Sequence, residues 1–341
     1  MSHDPETPPD RPIATDDAAT EVTAEPIASA EPLPEADLTL ATIPAAARPR
    51  PGRRLVRTVL GIVVFLVLLA VAWEGVKWLG GDPWRYDDFL GTGIAIQHDP
   101  PMRISQVSDR QLPHLWDIFG AYAEPFQRGA AQTLGQYLAV QALSTWREAA
   151  FGFALGAIIG IVLASIFVHF TVLERAFLPY VIASQTVPIV ALAPIIVVGF
   201  GRGLTSIVII ATYLTFFPVT IAMTRGLRSP DPRAVELMRS YAASRWQIYR
   251  KVRLPASVPY LFTALKIAAA ASVVGAIIGE GPGGVLEGLG RAILTFNQQY
   301  ITGPEKLWAT ILVAALLGIL FYLLVQAVEA VVLRGRRAAA S

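Results

Sequence analysis

Polar side chains inside long apolar runs are the first candidates for chemistry in this chain of 341 residues. A hydrogen-bonding group is unfavourable in a bilayer unless it is paired, so one placed there commonly serves a solute path or a helix contact. Glu280, between Gly279 and Gly281 at the end of one run, is a candidate for lining an external gate. The other candidates for a solute path are Gln185, Thr186, Thr212, Tyr213, Thr215 and Ser272.

The residue inventory excludes several other chemistries. There is no cysteine, which rules out disulfides, thiolate catalysis and cysteine metal sites. The four histidines lie outside the apolar runs or, for His169, at the very end of one, so no metal site is expected within the membrane. The runs contain no carboxylate pair or Ser/His pair for an intramembrane enzyme. The chain also has no Gly-x4-Gly-Lys-Ser/Thr motif, so we expect it to bind neither ATP nor any other cofactor.

The elements that must position these residues are membrane spans. The chain is 54% apolar and only 16% charged, and its apolar residues are clustered in long runs. Basic residues flank the runs alternately, which places both termini in the cytoplasm. The sequence therefore predicts an all-α membrane protein with six transmembrane helices, at about residues 55–79, 147–170, 176–200, 204–223, 259–278 and 307–333.

The segments between these spans differ in composition. The N-terminal leader is acidic and rich in proline, with no large apolar cluster, so it is predicted to be disordered. A long acidic external loop follows the first span and is predicted to end in an interfacial helix near residues 128–143. The predicted organisation is a cytoplasmic leader at 1–54, a first span at 55–79, an external loop at 80–142, a five-span core at 143–333 and a cytoplasmic tail at 334–341.

The basic loop at 224–258 carries a more specific pattern. Asp231 and Pro232 are a typical N-cap and first residue of a helix. Ser244 and Gln247 have the spacing of a capping box for a second short helix, which Leu254 and Pro255 are expected to end. Apolar residues recur at helical spacing in the first helix, at Ala234, Leu237, Met238 and Tyr241. The loop is therefore predicted to form two short amphipathic helices in the cytoplasm.

This spacing resembles the signature loop of permease subunits of bacterial ABC importers. That family has Glu-Ala-Ala, three residues, Gly, nine residues and Ile-x-Leu-Pro. Here Glu236, Leu237 and Met238 occupy the triplet and Ala242 the glycine, while Val252, Leu254 and Pro255 occupy the last group. Leu-Met thus replaces Ala-Ala, and Ala242 would be strained if the backbone needs a positive φ there.

Further motifs resemble the branch of this family that handles nitrate, sulfonates and taurine. They are Gln185-Thr-Val-Pro188, Ala191-Leu-Ala-Pro194 and Gly199-Phe-Gly201. The resemblance implies the type I ABC importer permease fold and a location in the bacterial inner membrane. It also implies that the loop docks on a separate ATPase through Glu236, Leu237, Met238, Arg239, Tyr241, Ala242, Ser244 and Arg245.

The same resemblance implies the partners. They are a cytoplasmic ABC ATPase dimer that binds ATP and Mg, a periplasmic or lipid-anchored substrate-binding protein, a second permease subunit and membrane lipid, with no nucleic acid. The substrate stays open among nitrate-like, sulfonate-like or taurine-like anions and vitamin precursors such as thiamine pyrimidines and riboflavin. A secondary transporter is disfavoured because no internal repeat or midplane acid is evident. A membrane receptor or scaffold remains the alternative function, with the leader and the basic loop as its binding elements.

Overall fold

The computed structural model describes residues 51–86 and 96–338. The predicted disordered leader up to residue 50 and residues 339–341 of the predicted tail lie outside the described residues. The chain divides into two units, Met1–Gly61 and Ile62–Ser341. The contacts discussed below belong to the second unit.

The described chain is almost entirely helical. Two three-residue strands, β1 (Trp84–Tyr86) and β2 (Ile96–His98), pair antiparallel with Arg85 opposite Gln97. The helices are α1 Pro51–Gly80, α2 Leu115–Ala121, α3 Leu134–His169, α4 Thr171–Ser184, α5 Ile189–Phe200, α6 Leu204–Arg228, α7 Pro232–Ser240, α8 Arg245–Ile248, α9 Leu254–Gly283, α10 Leu289–Gln298 and α11 Pro304–Ala338. A 3₁₀ turn covers Ser105–Val107, and a π-helical turn, Tyr249–Arg253, joins α8 to α9.

The number of membrane spans agrees with the prediction. Five described segments are long and apolar enough to cross a bilayer, and the α4–α5 pair makes a sixth if it counts as one span. The third span was nevertheless expected to be one helix over residues 176–200, which is wrong. It is broken into α4 and α5, which meet at 104°. Pro188 precedes α5 and lacks the amide that would continue the helix.

A packed group of α3, α6 and α9 forms the centre of the bundle, and α11 lies against α9. Glycines at four-residue spacing in α3 let α6 come close. A Cβ added to Gly152 would lie 2.3 Å from Ala211 Cβ, and one added to Gly156 would lie 2.5 Å from Thr215 Cβ. This glycine face of α3 therefore packs against α6 of the same chain.

Gly152→Ala is expected to destabilise the protein by about 2–3 kcal/mol, because the added methyl group meets backbone and Cβ atoms that cannot rotate away. Thermal unfolding of the purified protein in detergent measures the loss. Gly318→Ala in α11 is the matched control, since a Cβ there has no atom within 4 Å and alanine favours the helix. Equal melting temperatures for the two variants would contradict this packing.

The predicted interfacial helix near residues 128–143 is also wrong as a separate element. Residues 134–143 join the second span in one helix of 36 residues, α3, about 54 Å long at 1.5 Å per residue. Thr133 and Gln136 form a capping box at its start. Gln141, within the segment predicted to lie at the interface, is buried inside the bundle.

The end of α1 is tied to the segment that follows it. Lys77 is 1% exposed, and its ammonium group contacts Asp109 and the carbonyl of Leu112. Glu74 accepts hydrogen bonds of 2.7 Å from the Leu115 amide and from His114 Nδ1. This cluster fixes α1 to the start of α2.

A second ion pair lies between spans. Lys266 Nζ in α9 is 2.7 Å from Glu329 Oε2 in α11. Because each charge satisfies the other, the pair offsets much of the unfavourable transfer of both groups from water. It links α9 to α11 near their predicted cytoplasmic ends.

Candidate functional site

The helix α7 in the basic loop begins as the sequence predicts. Asp231 is its N-cap, with a carboxylate oxygen 2.9 Å from the Arg233 amide, and Pro232 is its first residue. The amide at the first position of a helix has no partner within the helix, so a proline, which lacks that N–H group, loses no hydrogen bond there. No residue of α7 is buried. The helix is thus defined by its own ends and is held against the bundle by few contacts.

The two sides of α7 differ in exposure. Leu237 is 58% exposed and Tyr241, the residue that ends the helix, is 78% exposed. Val235 and Met238 are half-buried, and Val235 lines a cavity between α7 and the bundle. A large apolar side chain that is mostly in water contributes little to folding, and a pair of them one turn apart is typical of a protein contact surface. Glu236 is exposed beside them.

The second loop helix, α8, also begins as predicted but does not end as predicted. Ser244 and Gln247 form the expected capping box. Leu254 and Pro255 were expected to stop this helix, and that is wrong: the chain continues through the π-helical turn into α9. In that wider turn the Leu254 amide bonds to the Tyr249 carbonyl. Pro255 then occupies the first turn of α9, where a missing amide is tolerated.

Ala242 joins the two loop helices in a left-handed conformation. Its φ is 54°, and among the described residues it is the only one other than glycine with a positive φ. This is the position where the resembling family has glycine. A Cβ in this region is unfavourable by about 1–2 kcal/mol. The backbone strain that the sequence suggested for Ala242 is therefore present.

Ala242→Gly is expected to stabilise the loop by about 0.5–1 kcal/mol, after subtracting the greater freedom of glycine in the unfolded chain. Ala242→Val should have the opposite sign, because a β-branched side chain is excluded from positive φ. Hydrogen exchange of the α7 amides measures both effects. Ala243→Gly is the control and should only increase exchange.

The residues predicted for the solute path do not form one cluster. Thr215 and Ser272 are completely buried, and each donates to a carbonyl of its own helix, Ala211 and Ala269 respectively. Thr212 donates to the Gly152 carbonyl across the α3–α6 contact at 3.3 Å. These three side chains are occupied by helix packing in this conformation.

The remaining predicted path residues lie at the break in the third span. Gln185 and Thr186 are exposed between α4 and α5. The Tyr213 hydroxyl of α6 donates to the Ser184 carbonyl. Because α4 ends at Ser184, no later amide of the same helix is available to this carbonyl. Tyr213 therefore supports the end of α4. Gln185 and Thr186 are the two predicted path residues whose side chains are exposed, and the Thr186 hydroxyl donates its proton to the Ala183 carbonyl at 2.7 Å.

Glu280 is completely buried and holds the start of α10. Its carboxylate accepts a hydrogen bond of 2.6 Å from the Thr145 hydroxyl and another from the Gly290 amide. The space around it has no room for a larger residue at Gly288, where an added Cβ would lie 2.3 Å from Glu280 Cδ. Glu280 thus does not face an opening in this conformation but joins α9 to α10 and α3.

Three residues of this cluster were missed by sequence reasoning. Gln141 Oε1 accepts from the Gly288 amide at 2.6 Å, and Thr145 Oγ1 accepts from the Leu289 amide at 2.8 Å. Glu148 is 4% exposed, and its Oε2 has no hydrogen-bond partner within the described part of the chain. A signal was available: residues 141, 145 and 148 continue the helical face of Gly152, so they had to point into the bundle.

Comparison with known proteins identifies the family. Residues 156–334, more than half of the chain, match the family described as binding-protein-dependent transport system inner membrane component. The chain belongs to this family. The matched part begins within α3 and includes α7, Ala242 and Glu280.

Several proteins that are similar to this chain are named as transport permeases. The formylaminopyrimidine transport permease protein ThiX of Halalkalibacterium halodurans is 36% identical over 54% of this chain and 73% of its own length. The riboflavin transport system permease protein RibX of Chloroflexus aurantiacus is 34% identical over 49% of this chain and 61% of its own length. The putative aliphatic sulfonates transport permease protein SsuC of Bacillus subtilis is 28% identical over 85% of this chain and 92% of its own length.

These findings confirm the resemblance drawn from the loop and span motifs. The chain is an ABC importer permease subunit of the binding-protein-dependent family, with the all-α permease fold that the sequence predicts. It is a transport component embedded in a membrane, and its relatives are permease subunits rather than enzymes.

Proposed function

We propose that this permease subunit forms the translocation path for a small heterocyclic vitamin precursor and couples it to a separate cytoplasmic ATPase through α7. The observation that carries the coupling is the exposed apolar side of α7, with Leu237 58% and Tyr241 78% exposed in a short helix capped at its start. Such a surface supports docking in an apolar groove of a partner. Ser244 is exposed close to it and would add a polar contact at its rim.

The substrate class is proposed from the relatives. The two at more than 30% identity named above carry a formylaminopyrimidine and riboflavin in their names, both of them heteroaromatic, whereas the sulfonate relative is 28% identical. At the break in the third span, Gln185 supplies an amide that can bond to the ring nitrogens and amino groups of such a solute. The Thr186 hydroxyl, which donates to the Ala183 carbonyl, can still accept a bond from an amino group.

The complete importer would contain two copies of this chain, an ATPase dimer that binds ATP and Mg, and a substrate-binding protein outside the membrane. We place the chain in the bacterial inner membrane with both termini in the cytoplasm, because the arginines of residues 48–57, 225–253 and 334–337 then all lie on one side. No cofactor is assigned to this chain.

The test is ATP-dependent uptake into proteoliposomes that contain the full chain, its ATPase and its binding protein. Labelled aminopyrimidine, riboflavin, taurine and nitrate are offered separately. We expect uptake of one of the heterocycles that requires ATP and the binding protein, and none of taurine or nitrate. Uptake of an anion alone would refute the substrate class, and failure of any ATPase to co-purify with the chain would favour the receptor or scaffold function.

A further inference from the structure

A cavity of about 530 Å³ lies behind α7, between the loop and the ends of the spans. It is bounded by the end of α3, the start of α4, one side of α7 and the segment from α8 into α9. Its lining residues include Val168, His169, Val235, Arg239, Arg245 and Arg253. The cavity therefore lies between the loop and two elements of the bundle, α3 and α4.

Three arginines line this cavity and no acidic residue does. The described part of the chain also provides no carboxylate within 4.0 Å of Arg239, Arg245 or Arg253, although it pairs Arg228 with Glu174 close by. Like charges collected in a partly enclosed space repel one another, so the arrangement is favourable when an anion neutralises them.

The walls of the cavity are held in place by hydrogen bonds. The Tyr249 hydroxyl lies 2.8 Å from Ser165 Oγ, and His169 Nδ1 lies 2.7 Å from the Ser165 carbonyl. Tyr249 is buried and stacks on Trp246, with ring centroids 5.4 Å apart. The segment that carries Arg245 and Arg253 is thus fixed against α3, which lowers the entropy lost when a ligand binds.

The cavity is on a different side of α7 from the proposed ATPase contact. Val235 and Arg239 are one turn apart and line the cavity, whereas Leu237 and Tyr241 are one turn apart and exposed. Residues two apart in a helix point about 200° from each other. An ATPase bound to Leu237 and Tyr241 would therefore leave the cavity available.

We propose that this cavity binds a phosphate group through Arg239, Arg245 and Arg253. The planar guanidinium fork matches phosphate oxygens and forms charge-assisted hydrogen bonds with them. The site lies at the end of the spans where basic residues collect, next to the anionic headgroups of a bacterial inner leaflet. A bound phosphate joins α7 to the start of α9 and so stiffens the link between the loop and the bundle.

The phosphate can belong to a lipid headgroup or to a free ion, and the experiment separates these sources. The full chain is purified in detergent without phosphate and without its ATPase. Native mass spectrometry then measures binding of dioleoylphosphatidylglycerol against dioleoylphosphatidylcholine, whose choline offsets the phosphate charge. In parallel, the rise in melting temperature with inorganic phosphate is compared with chloride at equal ionic strength.

We expect one phosphatidylglycerol or one phosphate to bind per chain, and the double variant Arg239→Gln/Arg253→Gln to weaken binding at least tenfold. The matched control is Arg250→Gln/Lys251→Gln, which removes two exposed charges that do not line the cavity and should weaken binding less than twofold. Binding of the lipid alone assigns the site to a headgroup, and binding of inorganic phosphate assigns it to a free ion.

Three results would overturn the proposal. They are no binding of either probe, equal weakening by the control pair, and displacement of the bound probe when the ATPase is added, which would show that an ATPase side chain fills the cavity. Because the readout is binding to the chain alone, it does not depend on the proposed transport activity.

Discussion

A chain carrying Leu237→Asp in α7 is expected to lose roughly 30- to 150-fold in affinity for its ATPase. Because Leu237 is 58% exposed, its substitution should have little effect on folding and the loss should arise at the interface. Truncating or charging a central apolar contact typically weakens an interface by about 2–3 kcal/mol. Tyr241→Ala, at a side chain 78% exposed, should act in the same direction. Affinity of the ATPase for the immobilised permease measures both.

The matched control for this experiment is Leu286→Asp. Leu286 is 87% exposed in the connection between α9 and α10, at the other end of the bundle from α7. It should leave ATPase binding unchanged. Glu236→Gln adds a second readout: if Glu236 pairs with a basic group of the ATPase, the variant should reduce the dependence of binding on salt. Unchanged affinity in both Leu237→Asp and Tyr241→Ala would refute the coupling role of α7.

The second large effect is expected from Glu280→Ala, which should destabilise the permease by about 3–5 kcal/mol. The substitution leaves the Gly290 amide buried without its acceptor, deprives the Thr145 hydroxyl of its partner and opens a cavity. Glu280→Gln retains an oxygen that can accept one of these bonds, so it should lose less. Thermal unfolding gives the order of the two variants, and hydrogen exchange at Gly288–Gly290 should rise most in Glu280→Ala.

Glu287→Ala is the control for this prediction, because Glu287 is an exposed carboxylate close to the same turn. It should change stability by less than about 0.5 kcal/mol. If Glu280→Ala were no less stable than Glu287→Ala, the carboxylate would not hold α10, and its burial would need another explanation.

The parts that sequence predicted well are governed by local chemistry. The start of α7 at Asp231 and Pro232, the capping box of Ser244 and Gln247, and the sensitive position at Ala242 all depend on residues within a few positions of each other. The family resemblance rested on the spacing of this loop. Spans were also predictable in number, because apolar length is set by bilayer thickness.

The parts that sequence did not predict depend on partners far along the chain. Prolines occur at 179, 188 and 194 in the third span, yet Pro179 and Pro194 lie inside helices while the break falls just before α5. Which proline breaks a helix is decided by neighbours such as Tyr213, which bonds to the end of α4. The local sequence around each proline does not contain that information.

The role of Glu280 was missed for the same reason. Placed between glycines at the end of a span, it is typical of a group that faces water. Its actual partners are an alcohol 135 residues earlier and an amide 10 residues later. The glycine at 290 has no room for a Cβ, which would lie 2.1 Å from the Ile277 carbonyl oxygen, so the amide can approach the carboxylate. Only the folded arrangement brings these groups together.

The π-helical turn between α8 and α9 has a mechanical consequence. Because the helix does not stop at Leu254, the segment Arg245–Gly283 runs as one piece of 39 residues, about 58 Å long and nearly twice the thickness of the hydrocarbon layer. One end of the segment is connected to α7 through Ala242, and the other end carries Glu280, which accepts a hydrogen bond from the Gly290 amide of α10. The loop and the start of α10 are therefore joined by one continuous helical element, and we expect a displacement of α7 to be transmitted along it to Glu280.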